Sequence, residues 1–333
     1  MSEPISTAAT HLYRDPAVFA RERAAIFAKS WQFLGLEADI PRTGDYLAET
    51  VAGFPILVVR SGAGTLAGFH NVCRHRAGPL VPDAKGHCGR HLVCQFHDWS
   101  YDLTGTLVDP KGFGPAAGFT PSQFSLFRIQ VASWRGFLFV NLDASAPPLI
   151  DLLRPLDERL GVQPRRPARL NDSHPIPCNW KVYVENYLDG YHREGIHPGL
   201  SVSAGTQRFD VRMNGEVALY EVPKRADTAE GLWAWVWPNL GINVYRGVLL
   251  IEHMRAESPE RVVIDHIFLH EPEDPGVEAA IHNSERITHE DAFICERVQQ
   301  NLDAGIYQQG VLSPTNEGAV AWFQARVAKA LAD

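Results

Sequence analysis

Two short Cys–His pairs lie close together in the first third of the chain: Cys73-x-His75 and, after eighteen intervening residues, Cys94-x2-His97. Thiolate suits iron–sulfur clusters, and imidazole suits several transition metals. Two of each supply the mixed ligation in which one iron of a [2Fe–2S] cluster takes the two thiolates and the other the two imidazoles. Replacing two thiolates by neutral imidazoles removes negative charge and raises the reduction potential. The same residue types also make structural zinc sites, and His87, Cys88 and His91 add competing ligands between the pairs. Zinc sites more often use Cys-x2–4-Cys, a form that neither pair has.

A second grouping lies in NWKVYVENYLDGYHREGIHP, residues 179–198. Asp189 and His192 are three apart and share one face of a helix. His197 is five further on, off that face. Pro198 disfavours the α conformation at His197, and Gly195 suits a helix end. The spacing predicts that His192 projects from the helix end while His197 swings back from the exit turn, so that two imidazoles converge. The alternative is two ordinary histidines. A 2-His-1-carboxylate iron site also needs an acid. In the C-terminal part Ile287, Ile294, Val298 and Leu302 form an apolar stripe at helical spacing, and Asp291 falls within it. A carboxylate there needs a partner to offset desolvation. Glu290 lies at the margin of the stripe, and Glu296 and Asp303 face away. Asp291 is therefore the candidate acid, with a buried arginine ion pair as the alternative.

The elements that must hold these residues are legible in outline. Residues 16–31 read as an amphipathic helix. From about 45 to 142 the chain has short β-like runs, including FPILVVR (54–60), HLVCQF (91–96) and GFLFVNL (136–142). A Pro- and Arg-rich stretch follows and reads as a linker containing a short helix. Then come a helix over about 180–193, several strands between about 206 and 270, and a long helix from about 276 to 304.

The Cys–His pairs with the tail Trp99-x-Tyr101-Asp102-x2-Gly105 resemble the Rieske domain of the Rieske non-heme iron oxygenases, the aromatic ring-hydroxylating alpha-subunit family. Two departures are a slightly long gap and Asp98 where the family usually has Gly; neither removes a ligand. Asn179-Trp180-Lys181, then Glu185-Asn186, then Asp189-x2-His192-x4-His197 is similar to the family's catalytic motif, and EDAFICERVQQNLDAGIY (290–307) is similar to the segment carrying its third ligand. The resemblance covers nearly the whole chain. It implies a [2Fe–2S] cluster on Cys73, His75, Cys94 and His97, and a mononuclear Fe(II) on His192, His197 and Asp291. It also implies Asp189 as the bridge to a Rieske histidine of a neighbouring subunit. Glu194 is the second choice for that bridge, because some relatives acting on quaternary ammonium compounds use a glutamate near here; the branch near the choline, betaine and carnitine monooxygenases is thus one candidate.

The fold so implied is α+β. An N-terminal all-β Rieske domain (41–145) precedes a helix-grip (SRPBCC-like) catalytic domain (146–333) with an antiparallel sheet and a long C-terminal helix. Residues 1–40 are expected as a helical segment packing on the catalytic domain. The implied activity is that of the terminal oxygenase component of a multicomponent system. It is expected as a homotrimer using O2 and electrons from NAD(P)H through a separate reductase, with or without a ferredoxin, to hydroxylate or oxidatively demethylate a small organic substrate. The chain has no Gly-rich dinucleotide fingerprint of its own after a strand. Rival readings are a Rieske electron carrier, which the length after residue 150 disfavours, and a zinc-stapled binding protein.

Substrate class stays open. Trp233, Trp235 and Trp237 alternate along one strand face and suit either an aromatic cage for a quaternary ammonium or core packing. Arg246 suits an aromatic carboxylate or an ion pair. Arg74, Arg76, Lys85 and Arg90, against Asp83 alone, make a weak basic patch for an acidic electron donor, or a plain solvated loop. The 333 residues carry a net charge of −8, which argues against a nucleic-acid partner. No apolar run reaches a membrane span, the start does not read as a secretory signal, and five cysteines make no disulfide framework. The cytoplasm is the default compartment.

Overall fold

The computed structural model describes residues 4–62, 64–160, 168–197, 210–222, 231–245, 247–271 and 276–332. The chain divides into two compact units, Phe27–Ile150 and Met1–Ile26 with Asp151–Asp333. Residues 27–40, read from the sequence with the N-terminal segment, group with the first of these.

In the first unit the run FPILVVR lies within the strand Phe54–Gly62. It is apolar without alternation because both of its faces are covered. Leu57 and Val59 pack with Phe69, Leu92, Trp99 and Tyr101, while Ile56 and Val58 pack with Ile40, Leu138 and Val140. This strand belongs to a seven-stranded sheet, and a three-stranded sheet of His91–Val93, Ser100–Asp102 and Leu107–Asp109 lies apart from it. The first Cys–His pair follows the strand Thr65–His70, and the second fills the connection from Val93 to Ser100.

The second unit opens with helices α1 (His11–Arg14) and α2 (Pro16–Glu22). Asp15 caps α2 by accepting from the Ala17 amide at 2.8 Å, and Pro16 occupies the first turn. The helix expected over 16–31 is cut short: it ends at Glu22 and passes into a π-turn, Arg23–Phe27. The wider turn accompanies burial of both Ile26 and Phe27, each 1% exposed. Helix α3 (Leu149–Leu160) lies in the Pro-rich stretch.

The sheet of the second unit is antiparallel throughout, in the spatial order Ala168–Ile176, Arg261–His270, Val248–Ser258, Leu240–Tyr245, Gly231–Val236, Val217–Val222, Asp210–Asn214. Helix α4 (Trp180–Leu188) starts where Asn179 accepts from the Lys181 amide at 3.1 Å. It packs on the sheet and on the long helix, termed α6 (Val277–Asp303). Between them lies the one-turn helix α5 (Arg193–Ile196), and α7 (Gly318–Ala332) ends the described chain. The buried face of α6 runs through Thr288, Cys295, Gln299 and Leu302. Val298, expected in the apolar stripe, is 40% exposed, and Gln299 takes the buried place by accepting from the Asn179 amide at 3.0 Å. Packing against the start of α4 thus selects a polar side chain where hydrophobicity alone points to its neighbour.

Candidate metal centres

The two Cys–His loops of the first unit are built alike. In each, the cysteine carbonyl accepts from the amide four residues on, Ala77 to Cys73 at 3.1 Å and Asp98 to Cys94 at 2.9 Å. The cysteine amides donate to Gly78 at 2.8 Å and Trp99 at 2.9 Å, five residues on. Closing that ring puts Ala77 and Asp98 in the left-handed region, at φ 56° and 57°. This accounts for the Asp98 departure: the position needs positive φ, which Asp tolerates better than most side chains. Lys111 Nζ then pairs with Asp98 at 3.0 Å.

Cys73 and Cys94 are free thiols, each 2% exposed. Burial pushes the Cys94 thiol up, and the neighbouring Cys73 adds to the effect. Tyr101 places its hydroxyl 3.2 Å from Cys73 Sγ. His75 and His97 meet edge to face at 4.6 Å, with His75 stacked on Trp99 at 4.7 Å. Their Nδ1 atoms are buried with no hydrogen-bond partner, donor atoms held ready for something other than protein. A Cβ at Gly78 would lie 2.9 Å from Cys94 Sγ, so glycine keeps the cradle open. Among the described residues only His192, His197 and Asp291 bring three donors within 4.8 Å of one another. The four donors of the first site are spread more widely than one zinc ion needs, and they fit a two-iron cluster. The competing residues are engaged elsewhere: His87 Nδ1 pairs with Asp45 at 2.9 Å, and Cys88 Sγ donates to the Gly44 carbonyl at 3.2 Å. His91 is exposed on its strand. In the basic patch, Arg74 donates to the Ser125 carbonyl at 2.7 Å and Lys85 pairs with Asp39 at 2.8 Å.

The second site is reached by a different backbone from the one the spacing predicts. Helix α4 stops at Leu188, and Asp189 is its C-cap with extended ψ of 104°. His192 and His197 then flank α5 as its N-cap and C-cap, and Gly195 lies inside that turn rather than ending α4. The imidazoles converge all the same. His192 Nε2 and His197 Nε2 lie 3.2 Å apart, and Asp291 Oδ1 is 3.5 and 3.1 Å from them. Asp291 Oδ1 is buried and makes no aligned hydrogen bond. Three lone-pair donors therefore face one point, which fits a single metal ion. Burial of the imidazolium opposes its charge, but Asp189 and Asp291 outweigh that and lift His192 to about 9. Burial pushes Asp291 up, yet the imidazoles of His192 and His197 beside it carry it below the usual carboxylate range.

Asp189 Oδ2 lies 3.5 Å from His192 Nδ1. Glu290, placed by the sequence only at the margin of the apolar stripe, lies 2.7 Å from His197 Nδ1. The only signal was its place beside Asp291. The Glu194 side chain and Arg246 lie outside the described residues. Trp235 and Trp237 do not form a cage: Trp235 is fully buried and packs on Trp322 and Phe323 of α7, each at 5.6 Å. Trp233 instead faces Tyr245 at 5.6 Å, and both are partly exposed. No helix among the described residues is long and apolar enough to cross a membrane.

Comparison with known proteins assigns both parts of the chain to known families. Residues 165–333 match the model of the ring hydroxylating alpha subunit (catalytic domain), and residues 30–120 match the Rieske [2Fe-2S] domain. Chloroplastic choline monooxygenase of Atriplex hortensis is 27% identical over 331 residues, 93% of this chain and 74% of that protein. The glycine betaine monooxygenase oxygenase subunit of Chromohalobacter salexigens is 38% identical over 190 residues, 56% of this chain and 42% of that protein. The crystal structure of the quaternary ammonium Rieske monooxygenase CntA with L-carnitine superposes with TM-score 0.84 at 26% identity, covering 98% of this chain and 95% of that one. The chain belongs to the ring-hydroxylating oxygenase alpha-subunit family, with a Rieske [2Fe–2S] domain and a mononuclear-iron catalytic domain.

Proposed function

We propose that this chain is the terminal oxygenase component of a multicomponent system and that its substrate is a small quaternary ammonium compound rather than an aromatic acid. The observation that carries the oxygenase reading is the convergence of His192 Nε2, His197 Nε2 and Asp291 Oδ1 in a chain that also presents the four cluster donors. An electron carrier needs only the first site, and a zinc-stapled protein needs four donors gathered on one ion.

With the groups bound, the cluster on Cys73, His75, Cys94 and His97 supplies single electrons, and the iron on His192, His197 and Asp291 supplies open positions for O2 beside the substrate. The chain's own task is to hold the donors still and keep water out. Burial of the two cysteines and of His197 serves this. Asp189 is our choice for the bridge to a neighbouring subunit of a homotrimer, because its carboxylate approaches His192 and stays 19% exposed; Glu194 ranks second. Electrons would reach the chain from NAD(P)H through a separate reductase, with or without a ferredoxin.

One observation favours the ammonium class: the relatives named for choline, glycine betaine and carnitine. The test is a screen with a surrogate reductase, following substrate-dependent NADH and O2 consumption and formaldehyde or aldehyde release. Coupled turnover of betaine-like compounds is expected. Turnover of aromatic acids with ammonium compounds inert would reverse the assignment.

A further inference from the structure

Glu290 and Asp291 are consecutive on α6, so their side chains diverge by about 100° around the helix. They nevertheless reach the same imidazole from its two ends. Asp291 Oδ1 lies 3.1 Å from His197 Nε2, and Glu290 Oε2 lies 2.7 Å from His197 Nδ1. An ionised carboxylate can only accept, so the short contact puts the proton of a neutral His197 on Nδ1 and its lone pair on Nε2. That lone pair points where those of His192 and Asp291 converge.

Glu290 is itself held. Its Oε1 accepts from Arg286 NH1 at 2.9 Å, and Arg286 NH2 donates to Asn283 Oδ1 at 2.8 Å. Asn283, Arg286 and Glu290 follow at three and four residues along one face of α6. His192 has a looser arrangement, with Asp189 3.5 Å from its Nδ1. The outer side of the Glu290–Arg286 pair borders an open groove of about 680 Å³, to which Gly195, Ile196, Glu285 and Phe293 also contribute.

We propose that Glu290 is a positioning residue of the mononuclear site: it locks His197 in the tautomer and orientation that present Nε2, and Arg286 locks Glu290. A carboxylate behind a ligating histidine fixes ring orientation and raises ligand basicity, and its loss costs about 10- to 100-fold in metal affinity. The inference rests on the assignment of His197 to iron.

The experiment is titration of Fe(II) or Co(II) into protein stripped of mononuclear metal but retaining its cluster. It compares the parent with Glu290→Ala, Glu290→Gln, Arg286→Met, His197→Ala and Glu285→Gln. Glu290→Ala is expected to weaken binding about 10- to 100-fold. Glu290→Gln, which keeps an acceptor but no charge, and Arg286→Met should fall between it and the parent. Glu285→Gln removes the same charge from the same groove and should bind within about twofold of the parent, since only the orienting contact is worth the larger factor. Cluster absorption and the thermal midpoint of the stripped protein should not move. If Glu290→Ala lowers that midpoint, the isosteric glutamine variant decides, and unchanged affinity there overturns the proposal. Equal weakening by Glu285→Gln also overturns it, because net charge then explains the effect. Parent-like binding by Glu290→Ala with loss of binding in His197→Ala refutes positioning alone. Parent-like binding by His197→Ala refutes the metal site itself.

Discussion

Glutamine at position 22 is the sharpest test of how the N-terminal segment is tied into the catalytic unit. Glu22 and Lys181 pair at 2.6 Å with side chains 0% and 2% exposed, and Glu22 Oε2 accepts from Trp180 Nε1 at 2.9 Å. Glutamine keeps the volume and can still accept from Trp180, but it leaves the ammonium facing a neutral amide. Removing one partner of a buried pair costs about 3–5 kcal/mol. The rings of Tyr13 and Trp180, each 5.4 Å from Lys181 Nζ, retain part of the support, which argues for the lower end, about 3 kcal/mol. At about 2–4 °C per kcal/mol for a unit of this size, the melting midpoint should fall by about 6–12 °C. Burial already holds the Lys181 pKa below its usual value. A lysine shifted that way binds fewer protons folded than unfolded, so its contribution to stability grows with pH, and the Glu22→Gln deficit should shrink toward pH 9. Adding Lys181→Met should recover most of the loss, since an apolar replacement of a whole buried pair is often neutral. Calorimetry of the parent, both single variants and the double variant at pH 7 and 9 supplies the numbers. A loss below about 1 kcal/mol, or a double variant no better than Glu22→Gln, would refute the reasoning.

Three further outcomes follow from packing and charge. Gly78→Ala should lower cluster loading without changing the far-UV spectrum, because its Cβ would lie 2.9 Å from Cys94 Sγ and from Phe96 Cβ; full loading contradicts the cradle. Trp235→Ala should cost about 3–5 kcal/mol yet leave the KM for ammonium substrates unchanged, as a core residue would; a raised KM restores the cage. Burial pushes the Glu185 carboxyl to about 7, against hydrogen bonding from Tyr13. The folded state then holds a proton that the unfolded state releases, so stability is greatest below about pH 4.5 for this group and is lost as pH rises to 7. The effect is at most about 3 kcal/mol and is trimmed by the residue's partial solvent access. Glu185→Gln should flatten that slope between pH 5 and 8, and an unchanged slope would exclude Glu185 as its source.

Much of the site was legible because ligand types and spacing survive whatever backbone joins them. His192 and His197 converge although the expected single helix is two, broken at Asp189. Asp291 stood out as the candidate acid because a carboxylate among apolar neighbours at helical spacing demands a partner, even though Val298 proved exposed and Gln299 buried. That exchange depends on the Asn179 amide of a distant segment, which no local periodicity encodes. Glu290 was placed only at the margin of the stripe, and its contact was not legible because its partner His197 lies 93 residues away. The strand run 54–60 was clear from its continuous apolar character, which follows from cores on both faces. The early end of α2 was not, since a π-turn leaves the apolar spacing of 16–27 nearly helical. Trp235 was ambiguous for a related reason: alternation gives a residue's face but not what covers it.

The central claim is that one chain carries two separate iron sites, and metal analysis of the parent and of His192→Ala tests it most directly. About three irons and two acid-labile sulfides per chain are expected in the parent, with no stoichiometric zinc. The variant should retain about two irons, two sulfides and the cluster's colour while losing turnover. Zinc without sulfide in the parent, or about three irons and full activity in the variant, would contradict it.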